Sequence, residues 1–68
     1  MAISARNQLK GKVKNVTLGD VMAHIDVKIG DSTIESVITR RSAEEMKLKK
    51  GDKVNVVIKS TEVMIAKD

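Results

Sequence analysis

The sequence predicts a mainly β domain, five strands closing into a small barrel with one short helix between the third and fourth. Three observations predict it. Apolar and polar residues alternate through most of the chain, most clearly over Val21-Met22-Ala23-His24-Ile25-Asp26-Val27-Lys28-Ile29, and a repeat of two is that of a half-buried strand. Phe, Tyr, Trp and Pro are absent, so the core falls to Val, Ile, Leu, Met and Ala, and the β-branched ones pack well on a pleated surface. A helix-start signature occurs at Ser42-Ala43-Glu44-Glu45, where a serine followed three residues later by glutamate can cap reciprocally.

Gln8 to Thr17 reads as the first strand, with Leu9, Gly11, Val13 and Asn15 on one side and Lys10, Lys12, Lys14 and Val16 mostly on the other. Lysines on a solvated face discourage stray edge pairing. Leu18-Gly19-Asp20 is a turn signal. The second strand places Val21, Ala23, Ile25, Val27 and Ile29 in the core and Met22, His24, Asp26 and Lys28 outside. Gly30-Asp31 fits a two-residue hairpin with glycine first, leading into a third strand, Ser32 to Thr39. The helix is expected to start at Ser42, run to Lys47 or Leu48 with Met46 and Leu48 inward, and stop before the Lys49-Lys50-Gly51-Asp52 turn. Val54, Val56 and Ile58 mark a fourth strand, Lys59-Ser60-Thr61-Glu62 a polar break, and Val63 to Ala66 a fifth strand. This order is that of an OB-type barrel, a partly open Greek-key closure.

Sixty-eight residues make a single domain, 1–68, and a chain this small buries only about 60% of its unfolded surface. With no cysteine, disulfides and thiolate metal sites are excluded, and a single histidine cannot by itself build a structural zinc site, which leaves oligomerisation as the expected source of added stability. Met22, apolar on an outer face, points the same way. No run approaches the roughly 18 apolar residues of a membrane span, and the opening Met1-Ala2-Ile3-Ser4 lacks signal-peptide character. The expectation is a cytoplasmic protein with no membrane partner.

Thirteen Lys and Arg against nine Asp and Glu give a formal charge of +4, which favours anions. The lack of aromatic rings argues against nucleic acid, because sequence-tolerant strand binders stack bases on such rings. No catalytic constellation is present: there is no cysteine nucleophile, no phosphate-binding glycine loop, and Glu44 and Glu45 point about 100° apart on a helix. An enzyme is not expected.

Ser4, Arg6, Asn7 and Gln8 form instead a cluster dominated by hydrogen-bond donors. A tetrahedral dianion needs donors all round, one or two cations and no nearby carboxylate. Three segments supply such groups: Ser4 and Arg6, then Thr39 and Ser42, then Lys59 and Ser60. Arg6 and Lys59 would bring charge, and Arg6 could grip two oxygens at once. Ser42 would serve both the helix cap and the ligand. His24, without a second His or Cys nearby, is expected to be solvated or to lie at a subunit interface, not to bind a metal.

The stretch Ser4 to Gly11, SARNQLKG, resembles the opening signature of the molbindin (Mop) family and of the TOBE domains of molybdate-responsive regulators and transporters. The similarity continues through Val37-Ile38-Thr39-Arg40-Arg41-Ser42 and Val57 to Ile65. The resemblance implies reversible binding of molybdate or tungstate for storage or buffering, without a catalytic cofactor, by a homohexamer built as a trimer of dimers with anions at subunit interfaces. It carries anion-binding roles onto Ser4 and Arg6, onto the hydroxyl pair Thr39 and Ser42, and onto Lys59 and Ser60. A second class of site near a symmetry axis is also implied, for which Gly19, Asp20, Val21, Met22 and His24 are the candidates. Two alternatives stay open: an OB-type nucleic-acid module, and a pterin-cofactor carrier, against which the missing aromatics again argue.

Overall fold

One long strand, Asn7–Leu18 (β1), organises the fold because it pairs first with one neighbour and then with another. In this computed structural model, which describes residues 2–68, the remaining elements are strands Met22–Ile29 (β2) and Ser32–Thr39 (β3), helix Arg40–Glu45 (α1), strand Lys53–Ile58 (β4) and a 3-10 turn at Ser60–Glu62. Met1, where the expected domain and the leader reading begin, lies outside the described residues. The sheet order is β3-β2-β1-β4, and every ladder is antiparallel. Residues 7–12 of β1 pair with β4 and residues 12–18 with β2, so Lys12 stands between Lys28 and Lys53.

Two local devices let β1 serve both ladders. The register passes from Val13 opposite Val27 to Asn15 opposite Asp26. Lys14 is thus the extra residue of a bulge, and such an insertion bends a strand and re-aims the residues beyond it. The expected alternation ends there, because Val16, not Asn15, packs against the core. At Gly11 a Cβ would lie 2.6 Å from Val27 Cγ1 and 2.9 Å from both Ile29 Cγ1 and the Lys28 carbonyl oxygen. Only glycine lets β1 cross β2 so closely.

The turns agree with the sequence signals. Gly30 adopts φ 58° at the first position of the β2–β3 hairpin, the conformation a glycine-first hairpin requires. Gly51, at φ 95°, sits third in the Lys49–Asp52 turn, where the Asp52 carboxylate accepts from the Lys49 N–H at 3.0 Å. The turn is fastened to the middle of β1 by Val13 N–H to the Asp52 carbonyl and Gly51 N–H to the Val13 carbonyl, each 2.8 Å.

Val13, Ala23, Ile25, Val27 and Ala43 are the fully buried side chains among the described residues, with Val16, Ile29, Ile38, Leu48, Val54 and Val56 packed around them. Ala43 brings the only helical contribution to this cluster. Val21, expected inside, is 71% exposed because it precedes β2 and belongs to the turn.

Three expectations need correction. The helix cap lies three residues early: Thr39, not Ser42, caps it, its Oγ1 accepting from the Ser42 N–H at 3.1 Å. Glu45, freed from the expected cap, pairs with Arg41 at 3.1 Å, and Met46 becomes an exposed C-cap. The fifth strand does not form. Residues 63–68 lie beyond the 3-10 turn without a ladder partner; apolar alternation becomes a strand only when it pairs, and this segment joins neither sheet edge. Finally, β3 and β4 remain the two edges of an open four-stranded sheet, so no closed barrel is formed. No helix among the described residues is long and apolar enough to cross a membrane.

Candidate functional site

The last pair of the β1–β4 ladder is Asn7 with Ile58. Arg6, just before β1, and Lys59, just after β4, therefore flank the same end of this ladder. Ser4 and Ser60 lie two and one residues further out along the two segments, and Ser4, Arg6, Lys59 and Ser60 are all exposed. Gln8 Nε2 donates to the Ala5 carbonyl at 3.2 Å, which ties the entering segment to the strand. Lys59 is extended, with ψ 138°, and its carbonyl accepts from the Glu62 N–H at 2.9 Å, opening the 3-10 turn. Among the described residues neither Arg6 nor Lys59 is in an ion pair. Two unpaired cations beside two hydroxyls make a surface that attracts and can hydrogen-bond an oxyanion.

Thr39 and Ser42 stand elsewhere. Their hydroxyls are linked, Thr39 Oγ1 donating to Ser42 Oγ at 2.8 Å, at the start of α1. Leu18, Ala23 and Ile38 form one row across β1, β2 and β3, which sets this pair beside the far end of β1. That strand has 12 residues, a contour of about 36 Å at ~3.3 Å per residue. A single chain thus divides the expected donors into two groups, Ser4, Arg6, Lys59 and Ser60 at one end of β1 and Thr39 with Ser42 at the other.

The far group is joined by the turn that holds Gly19, Asp20, Val21 and Met22. Met22 pairs with Thr39, the Arg40 N–H donates to the Val21 carbonyl at 2.8 Å, and Arg40 Nη1 reaches the Gly19 carbonyl at 3.3 Å. A shallow depression of about 390 Å³ lies here, lined by Asp20, Val21, Thr39, Arg40, Arg41 and Glu44. Arg40 was not singled out from the sequence, and the adjacent carboxylates, with Arg40 to Glu44 at 3.6 Å, make this depression less suited to an anion than the Arg6–Lys59 end.

His24 has a different setting from the rest. Its Nε2 lies 3.1 Å from Asp26 Oδ1 and 3.0 Å from Glu35 Oε1, and two carboxylates at that range repel an oxyanion.

Sequence reasoning also passed over a groove of about 500 Å³ lined by Lys10, Lys12, Lys28 and Lys53 with Gly11 and Asn55. Lys28, Lys12 and Lys53 form a straight row across three strands. The signal lay in the register, which composition does not reveal.

The TOBE domain family matches residues 3–65. Molybdenum-pterin-binding protein 1 of Clostridium pasteurianum is 48% identical over 66 residues, spanning 96% of this chain and 97% of that one. A molybdate-binding protein from Sporomusa ovata shares the fold with a TM-score of 0.94 and 37% identity, over 98% of this chain and 100% of that one. The cytoplasmic molybdate-binding protein ModG, in a molybdate-bound form, aligns with a TM-score of 0.84 and 38% identity over 88% of this chain and 43% of its own. A shared fold, the match from residue 3 to residue 65 and relatives of this identity lead to one conclusion: the chain belongs to the TOBE domain family, among its small molbindin (Mop) members.

Proposed function

We propose that this protein binds molybdate or tungstate reversibly, as a cytoplasmic store or buffer, with each anion held where copies of a homohexamer meet. The reading is supported by Arg6 and Lys59 flanking the terminal Asn7–Ile58 pair of the β1–β4 ladder, Ser4 and Ser60 within two residues of them in sequence, and no carboxylate paired with either cation among the described residues. Replacing the hydration shell of a dianion demands such charge and such donors together. The similar proteins from Clostridium pasteurianum and Sporomusa ovata are described as binding molybdenum-pterin and molybdate, and ModG as cytoplasmic.

Assembly is supported by the exposed apolar surface. Met64 and Ile65 are 93% and 89% exposed, and Ile3, Leu9 and Val63 add to the apolar area, more than a lone soluble chain of this size usually shows. In a trimer of dimers the segment 63–66 would pair with an exposed sheet edge of a neighbouring copy, and Thr39 and Ser42 of one copy could approach Arg6 and Lys59 of another. Gly19, Val21 and Met22 would then face a symmetry axis as the second site. Light scattering reports the assembly directly, and a monomer at micromolar concentration would remove it.

Titration calorimetry with molybdate, tungstate, sulfate and phosphate tests the ligand. Heat with the first two and little with the others supports the reading; no heat with the first two, or equal heat with all four, overturns it. The Lys28–Lys12–Lys53 row favours a second reading, an OB-type module that grips a nucleic-acid backbone. It predicts oligonucleotide binding that weakens steeply with salt. An absorbance spectrum above the peptide region would reveal a bound pterin.

A further inference from the structure

We propose that His24, Asp26 and Glu35 form a binding site for a divalent cation of the zinc type, on the outer face of the sheet. His24 and Asp26 are two residues apart on β2 and so share a face, and Glu35 on β3 stands directly opposite Asp26. The imidazole Nε2 lies 3.1 Å from Asp26 Oδ1 and 3.0 Å from Glu35 Oε1, and the three ligand atoms all fall within 4.8 Å of one another. A tetrahedral zinc ion bonded to nitrogen and oxygen at about 2.0–2.2 Å holds neighbouring ligand atoms about 3.3–3.6 Å apart. Two of the three separations, 3.1 and 3.0 Å, need open by only a few tenths of an ångström, and Glu35, whose side chain is 69% exposed, is free to swing.

The pairing of strands supplies an independent reason. Like charges directly opposite in a sheet destabilise it, yet Asp26 faces Glu35 in a chain with 13 Lys and Arg. Among the described residues none of those cations pairs with either carboxylate. Lys28, two residues along on the same face, does not. One imidazole brings at most a single positive charge against two carboxylates, whereas a divalent ion matches both. Calcium and magnesium prefer all-oxygen ligands, while imidazole with carboxylates suits zinc and its neighbours. Three protein ligands leave a position for water, which reaches the site because the His24 side chain is 43% exposed. The bound ion would fasten edge strand β3 to β2.

The test uses the untagged protein and His24 as its only histidine, so the ring signals in the proton NMR spectrum have one source. Zinc chloride should shift those signals with saturation at one ion per chain, and magnesium chloride should leave them in place. Loss of a supporting partner alone weakens metal binding by about 10–100-fold, so Glu35→Gln, which removes a ligand, should weaken zinc binding at least about tenfold in calorimetry, with circular dichroism unchanged. His24→Ala should abolish the one-per-chain stoichiometry. Ring signals unmoved by excess zinc, or equal zinc affinity in Glu35→Gln, would overturn the site and leave His24 as a simple ion-pair partner. Titration of Glu35→Gln with molybdate separates this site from the anion site, because that affinity should not change.

Discussion

Arg6 immediately precedes, and Lys59 immediately follows, the terminal Asn7–Ile58 pair of the β1–β4 ladder, so the two cations flank the same end of it. Two like charges so placed repel one another, and a dianion between them turns that repulsion into attraction on both sides.

Arg6→Ala or Lys59→Ala should therefore lower oxyanion affinity. A hydrogen bond to a charged group is worth about 1.5–3 kcal/mol, which is about ten- to hundredfold in the dissociation constant. Lys10→Ala should change it far less. Calorimetry on the three variants checks the order, and a larger effect at Lys10 would move the site to the lysine groove.

Gly11→Ala should destabilise the fold by about 1–3 kcal/mol, the usual cost of overpacking. Removing glycine normally helps by restricting the unfolded chain, but here the added methyl would sit 2.9 Å from the Lys28 backbone carbonyl and 2.6 Å from Val27. Backbone cannot yield as a side chain can. A lower urea midpoint with an unchanged slope is the expected result.

Thr39→Ala should cost about 1 kcal/mol, the typical value of a lost N-cap. Ser42→Ala keeps the cap, since Ser42 contributes its backbone N–H, and should stay within about 0.5 kcal/mol. Thermal melts of both variants decide which hydroxyl starts the helix.

Lys12→Gln should raise stability by about 0.2–1 kcal/mol at low salt, because it relieves like-charge pairing on both flanks. Near 1 M salt, where screening acts within about 3 Å, the gain should vanish. A gain that survives high salt would point to some cause other than charge.

Much of the fold was legible because the strands are half-buried and write their period into the sequence: Ala23, Ile25 and Val27 are buried where alternation put them. What escaped was non-local. Nothing in Val13-Lys14-Asn15 announces a bulge, which arises because β1 must leave β4 and run along β2. Thr39 and Ser42 are both hydroxyl residues at a helix entry, and only the end of the β3 pairing at Thr39 decides which one caps. Val63 to Ala66 has the right alternation but pairs with neither open edge of the sheet. The neighbours of Arg6 depend on the β1–β4 register, and those of His24 on the β2–β3 register, so neither could be read from spacing along the chain.

The separation of the two hydroxyl and cation groups along β1 has a bearing on how cargo is loaded and discharged. An ion gripped by both groups must be shared between two chains, so mass action couples occupancy to how crowded those chains are. Diluting the protein would then empty it, and concentrating it would refill it, at a constant level of free ion.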